Sequence, residues 1–334
     1  MIPARWTRLK KLISCFKDAS VLVVGDLILD EYIWGDVSRI SPEAPVPVVW
    51  VKSENFMPGG SCNVASNIRA LGGRVHVMGV VGRDGRGKAL VDVLKAKGIR
   101  TDDVQADGAR PTTLKTRVIA HHQQVVRIDR EEIFPLSRKI QDIFIDRLAK
   151  RIPEVDAICL EDYGKGMITS ELVQEAVRLG RKHNKVITVD PKEDHLSYYK
   201  GVTAITPNHH EAAALSRIKI EDEVSLGKAA DKLFEILHCE NVLITQGEKG
   251  MTLFEKGRKP VKIPTVAQAV FDVSGAGDTV IATFTLARAL GATPVESAVL
   301  ANCAAGIVVG KVGTAVVSPE ELLERAKTIM RKKV

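Results

Sequence analysis

Asp272-Val273-Ser274-Gly275-Ala276-Gly277-Asp278-Thr279 stands between an apolar, strand-like run and a helical one, Val280 to Leu290, that stops at Gly291. Gly275 and Gly277 free the backbone to turn tightly and to approach a ligand. The first N–H groups of the helix lack intrahelical partners and sit at the positive end of its dipole, so the turn is an anion site. Asp278 would lie beside that anion, where it could take a proton from an attacking hydroxyl. Anion-binding amides at Gly275, Ala276 and Gly277 next to a base are the minimum equipment for phosphoryl transfer. The competing reading is a capped helix start in which Asp278 only complements the dipole.

Outward from this turn the chain repeats strand, polar or Gly-containing loop and helix, which predicts an α/β fold. Residues 4–18 read as a leading amphipathic helix and Val21 to Val24 as a buried parallel strand ending at Gly25-Asp26. Val75 to Val81, Ala157 to Leu160, Val186 to Val189, Ala204-Ile205 and Val242 to Thr245 repeat the pattern. In open α/β sheets ligands bind where the strands' carboxyl ends gather. Two β-rich patches, about 31–55 and 112–130, depart from this rhythm; they are read as one small sheet standing off a single domain over 1–334.

Composition narrows the function. The 334 residues, 45% hydrophobic and 27% charged, are ordinary for a globular enzyme. Aromatics at 4% argue against a base-stacking surface, and the net charge of +7 is spread rather than clustered, apart from Lys327 to Lys333. The excess charge fits phosphorylated small molecules better than nucleic acid. Five scattered cysteines without a CxxC pair suggest neither a disulfide framework nor a zinc site, which fits a cytoplasmic protein. No apolar run is long enough to span a bilayer.

Several constellations carry chemistry. Asn208 and Glu211 lie three apart at a helix start and can face one Mg²⁺ on a nucleotide's phosphates, or simply form a capping box. His209 and His210, between them, are grouped with the nucleotide-side residues; as joint metal ligands they are disfavoured, because adjacent helix side chains point apart. His121-His122 is read the same way, as a solvated pair. Gly59-Gly60-Ser61-Cys62-Asn63 precedes a small-residue helix; either Gly59 and Gly60 allow close approach of a sugar and Asn63 offers donor and acceptor to its hydroxyls, or the stretch is a turn with an ordinary helix start. Asp26 and Asp30, past the first strand, suit vicinal hydroxyls. Gly82 to Ala89 almost matches a phosphate-binding P-loop, but Ala89 stands where a hydroxyl must hold Mg²⁺, so it is read as a strand-to-helix connection.

Taken together, Gly59-Gly60…Asn63, Asn208…Glu211 and DVSGAGD resemble, in order and separation across nearly the full length, the ribokinase-like (PfkB) carbohydrate kinases. The resemblance implies a three-layer fold with a mostly parallel central sheet and a small β-sheet lid. Within that family the chain is most similar to the D-glycero-β-D-manno-heptose 7-phosphate kinases. The strings that carry this are Gly25 to Asp30, Ser38 to Val48, Gln123 to Arg127, Asp162 to Gly166, Asp190-Pro191-Lys192 and Val309 to Thr314. Ser274 stands where Thr is common, and Glu193 where Gly is. Many relatives are fused to a nucleotidyltransferase; the chain's end soon after Ser318-Pro319-Glu320 is read as the stand-alone kinase form.

The resemblance implies ATP-dependent phosphorylation of the anomeric hydroxyl, with Asp278 as base and Mg²⁺ held through Asn208 and Glu211, largely by water. A monovalent cation (K⁺) is left open. Thr245, Gly247, Gly250 and Asn302 line the nucleotide cleft; Asp26, Asp30, Gly59, Gly60 and Asn63 fix the sugar. Arg39, Lys165 and Lys192 are unranked candidates for holding the 7-phosphate. A homodimer through the lid is expected, with no nucleic-acid or membrane partner. The alternatives are another PfkB sugar or nucleoside kinase, and a non-catalytic sugar-phosphate binding protein.

Overall fold

The structure is a computed structural model that describes residues 4–121, 123–267, 270–311 and 313–331. His122, Val312 and the tail lysines Lys332 and Lys333 lie outside the described residues. In chain order the elements are α1 (Trp6–Ser14), β1 (Ser20–Gly25), β2 (Leu27–Ile40), β3 (Pro47–Gly60), α2 (Ser61–Ala70), β4 (Arg74–Gly82), α3 (Gly85–Ala96) and β5 (Arg100–Asp107). Then come β6 (Thr113–Ala120), β7 (Gln123–Arg130), α4 (Arg138–Arg151), β8 (Ala157–Glu161), α5 (Ser170–Lys182), β9 (Val186–Asp190), β10 (Ala204–Ile205), α6 (His209–Ser216) and α7 (Glu223–Leu237). The chain closes with β11 (Asn241–Thr245), β12 (Met251–Glu255), β13 (Val261–Ile263), α8 (Ala276–Ala289), α9 (Pro294–Val308) and α10 (Pro319–Arg331).

Among the described residues the large sheet has nine strands in the order β13-β12-β11-β10-β9-β8-β1-β4-β5. From β11 to β5 neighbours pair in parallel, whereas β12 and β13 run antiparallel at one edge. Every residue of β1 is buried because helices cover both faces, which is why its sequence is a continuous apolar run. One core packs α1, α2, α8, α9 and α10 against the sheet, and the other packs α4, α5, α6 and α7. Helix α8 packs along β1, β8 and β9, from Asp278 beside Glu161 and Asp190 at their carboxyl ends to Thr285, whose hydroxyl is 2.6 Å from that of Thr188 in mid β9. It is buried from Asp278 to Ala287, with Ala282 and Ala287 among the small residues that allow that close approach.

A second sheet, ordered β3-β2-β6-β7, contains both β-rich patches. One residue, Asp26, separates β1 from β2, so this sheet grows directly out of the carboxyl end of the large one. In β6, Leu114, Thr116, Val118 and Ala120 are buried, which turns Lys115 and Arg117 to the other face.

One expectation about the elements needs correction. The apolar stretch before Asp272 is not a strand: residues 264–267 and 270–275 are irregular, and Val270, Phe271 and Val273 are exposed. The Phe271 N–H donates to Val309 O rather than to a sheet neighbour, and Asp272 accepts from the N–H groups of Ser274 and Gly313, so local caps replace ladder bonds. The antiparallel edge β12–β13 lacked a distinct sequence signal. Gly82 to Ala89 is a strand-to-helix connection, in which Asp84 caps α3 through the Gly87 N–H at 2.8 Å.

Candidate active site

Asp278 is the third residue of α8, with Gly275 as its N-cap in the left-handed region (φ 74°). A side chain at Gly275 would be strained there and its Cβ would come within 2.7 Å of Asn63 Nδ2, so only glycine lets Asn63 approach. Asn63 Nδ2 donates to Asp278 Oδ2 at 2.6 Å, and the Tyr163 hydroxyl donates to Oδ1 at 2.7 Å. Burial pushes the Asp278 carboxyl above the usual carboxylate range, opposed by these two donors, which favour the ionised form. The Ala276 N–H is engaged with Val273 O at 3.2 Å, whereas those of Gly275 and Gly277 have no partner among the described residues. Two of the three expected amides are thus free for an anion.

The ends of β8 and β9 supply two carboxylates that sequence reading did not assign. Glu161 and Asp190 are register partners on these parallel strands. One oxygen from each of Glu161, Asp190 and Asp278 lies within 4.8 Å of the others. Burial, then the charges of Asp190 and Asp278, push the Glu161 carboxyl well above its ordinary range. Asp190 is shifted the same way by withdrawal of its carboxyl from water, then by Glu211 and Asp278. Glu161 Oε2 is fully buried and unpartnered among the described residues. Hard oxygen donors with an orphaned carboxylate oxygen fit a divalent cation such as Mg²⁺. The available signal was two acidic residues at the carboxyl ends of strands that prove adjacent.

Asn208 and Glu211 form a complete capping box on α6. Asn208 Oδ1 accepts from the N–H groups of His210 and Glu211, and Glu211 Oε2 accepts from the Asn208 N–H at 2.8 Å. That leaves Glu211 Oε1 for a water or ion. His209 and His210 do not point apart: their ring centroids are 3.8 Å from each other. At the first two positions of a helix no preceding turn constrains them. Thr245 pairs with Asn208 in an isolated bridge, which joins the β11 end to the α6 start. A groove beyond it is bordered by His209, Gly247 and Lys249. Gly250 sits in the turn after β11, and Asn302 on α9 holds Pro264 O at 2.9 Å.

On the sugar side, Asp26 is a staple as much as a contact. Its Oδ2 accepts from the N–H groups of Tyr163 and Lys165, and its Oδ1 from that of Met167. Burial nevertheless raises its carboxyl to about 6, against those three donors. The staple fixes the 163–167 loop and with it the Tyr163 hydroxyl. Asp162 pins the same loop to the stretch after β9, accepting from Gly164 N–H, from Tyr199 OH and from His195 Nδ1. Asp30 pairs with Arg117 at 2.6 Å. A Cβ on Gly59 would lie 2.4 Å from Asp30 Oδ2, so Gly59 makes room for that carboxylate, and Gly60 caps α2.

The phosphate-anchor candidates separate. Lys165 gives its N–H to Asp26 at 3.1 Å and its ammonium to Glu131 at 2.7 Å. The Lys192 stem lies 3.5 Å from where a Gly164 side chain would start, and its charge reaches Glu211, on the nucleotide side. Arg39 is exposed, nine residues along β2 from Asp30 and thus about 30 Å away.

Comparison with known proteins shows the family. Residues 18–321 match the model of the pfkB family carbohydrate kinases. The chain is 47% identical over 310 residues to "Bifunctional protein HldE" of Desulfatibacillum aliphaticivorans, covering 93% of this chain and 63% of that protein. It is 44% identical to the protein of the same name in Helicobacter pylori strain J99, covering 90% and 65%. The chain thus spans less than two thirds of the length of these curated relatives. Its fold is similar to a ribokinase of Arabidopsis thaliana solved with ribose and ATP (TM-score 0.72, 21% identity, 92% and 98% covered). It is also similar to phosphofructokinase-2 of Escherichia coli solved with potassium (TM-score 0.76, 19% identity, 94% and 99% covered). A buried carboxylate beside free amides at a helix start, on this fold and with this family match, places the chain in the pfkB family of carbohydrate kinases, phosphotransferases with an alcohol group as acceptor.

Proposed function

We propose that the protein transfers the terminal phosphoryl of ATP to the anomeric hydroxyl of D-glycero-β-D-manno-heptose 7-phosphate, giving the 1,7-bisphosphate for ADP-heptose and lipopolysaccharide core synthesis. Asp278 carries the reading: a buried carboxylate held by two donors, next to the unpaired amides of Gly275 and Gly277. The heptose assignment is supported by the sequence strings above and by the 47% identity to an HldE protein.

Asp278 takes the proton from the sugar hydroxyl, and Asn63 and Tyr163 hold its carboxylate in place for that step. The amides of Gly275 and Gly277 face the charge that develops on the transferring phosphoryl. Asp30, Gly59, Gly60 and Asn63 border the sugar. Glu161, Asp190 and the free oxygen of Glu211 would hold Mg²⁺, with Asn208 acting through water; when bound, the ion offsets charge on the nucleotide's phosphates. The small sheet acts as a lid on one kinase domain and excludes water from the transfer. Ile40, Val46, Trp50, Val125, Val126 and Ile128 are exposed on it, which supports pairing of two lids in a homodimer.

ADP release from Mg-ATP with heptose 7-phosphate, fructose 6-phosphate, ribose or no sugar tests the assignment. Fastest turnover of the heptose is expected. A preference for ribose or fructose 6-phosphate would overturn the substrate, and sugar binding without ADP release would overturn the enzyme.

A further inference from the structure

The face of the small sheet turned towards the sugar site is strongly charged. Lys115 and Arg117 on β6 are register partners of Asp30 and Tyr32 on β2, and of Asp129 and Arg127 on β7. Asp30 lies against Gly59, so this face looks into the site. Arg117 is committed to Asp30. Lys115 and Lys165 are arranged differently. They come from opposite walls, one from the small sheet and one from the loop that staples Asp26, and they converge on the same carboxylate, that of Glu131. Lys165 Nζ is 2.7 Å from Glu131 Oε1, and Lys115 Nζ is 3.7 Å from Oε2 and 3.2 Å from Asp129. Glu131 belongs to the irregular segment between β7 and α4. Its Oε2 is buried without a hydrogen-bond partner among the described residues, so Glu131 holds Lys165 closely but serves Lys115, whose hydrogen bond goes to Asp129, poorly.

We infer that Lys115 and Lys165 anchor the phosphate that the sugar substrate already carries, and that Glu131 is an internal stand-in which this phosphate displaces. The inference rests on the sugar-phosphate reading above. A phosphomonoester brings up to two negative charges and three acceptor oxygens where the carboxylate brings one charge and two oxygens. Each lysine offers three rotatable donors, so both can be satisfied at once. An unphosphorylated sugar leaves the Glu131 pairing intact and gains nothing from the lysines. Selectivity for a phosphorylated substrate follows from that exchange.

Steady-state kinetics on the heptose with and without its 7-phosphate test this in wild type, Lys115→Met, Lys165→Met and Glu131→Gln. Each lysine loss should raise KM for the phosphorylated sugar about tenfold or more, with a smaller change in kcat, and reduce the preference over the unphosphorylated sugar. Arginine at either position should recover part of that KM, which separates lost charge from lost folding. Glu131→Gln should lower KM, since no charged occupant must leave. Equal effects on both sugars, or unchanged KM in both methionine variants, would overturn the anchor. If the wild type turns over only unphosphorylated sugars, the substrate assignment fails on its own. Inorganic phosphate titrated against wild type and the double methionine variant by ³¹P line broadening then decides the site: binding lost in the variant supports it, and equal binding refutes it.

Discussion

Replacing Tyr163 by Phe removes one hydroxyl and keeps the ring, so it isolates the 2.7 Å hydrogen bond to the Asp278 carboxylate. A hydrogen bond to a charged group contributes about 1.5–3 kcal/mol, and here the acceptor is only 9% exposed, so solvent screens it little. The bond favours the ionised form of Asp278 and its loss leaves Asn63 as the one remaining side-chain donor at that carboxylate among the described residues. At about 1.4 kcal/mol per pH unit, the carboxyl should move up by roughly 1–2 units. Asp278 must be ionised to accept the proton, so activity is lost as pH falls through its pKa, and the variant should lose it at higher pH. Measured by ADP release between pH 5 and 9, kcat/KM of Tyr163→Phe should show an acidic limb displaced upward by about 1–2 units. On the alkaline side it should return to within a few-fold of wild type. A uniform loss at every pH with an unmoved limb would refute the idea that Tyr163 acts on the base.

Other expectations follow from separate parts of the molecule. Asp84→Ala removes the cap of α3 and two bonds to Thr112, and should cost roughly 2–4 kcal/mol in denaturant unfolding; a loss below about 1 kcal/mol would mean that these bonds are not net stabilising. The Glu161 and Asp190 carboxyls are raised above their ordinary values, so the stability they lend is greatest when protonated and is lost as pH rises through the raised pKa values. Mg²⁺ should therefore raise the melting temperature more at pH 8 than at pH 5.5, and less so in Glu161→Gln; equal shifts at both pH values would exclude this cluster. If two lids pair as proposed, the wild type should sediment as a dimer and Trp50→Asp with Val126→Glu as a monomer; a dimer that survives both changes must use another surface.

Much of the site was legible because its signals are local. Gly275, Gly277 and Asp278 sit within four residues, and glycine freedom and helix-end chemistry act over that distance. The same holds for the capping box at Asn208 and the apolar run of β1. What escaped reading depends on how distant segments meet. Glu161 and Asp190 become neighbours only through the register of β8 and β9. Asn63 and Tyr163 reach Asp278 from positions 215 and 115 residues away in sequence. Lys115 and Lys165 share Glu131 only because β6 and the loop after β8, distant in sequence, meet at the segment that follows β7. Val270 to Val273 misled in the opposite way, since hydrophobicity there reflects exposed surface rather than a buried strand.

If the proposed function holds, Asp278 and its neighbouring amides drive transfer to the anomeric oxygen of a sugar that already bears a phosphate. Purified protein incubated with Mg-ATP and D-glycero-D-manno-heptose 7-phosphate, followed by ³¹P NMR, measures this directly. The expected products are ADP together with a second sugar phosphate resonance at the anomeric position, formed about 10²–10⁴ more slowly in a folded Asp278→Asn variant. Phosphorylation at another hydroxyl, or an Asp278→Asn variant as fast as the wild type, would contradict it.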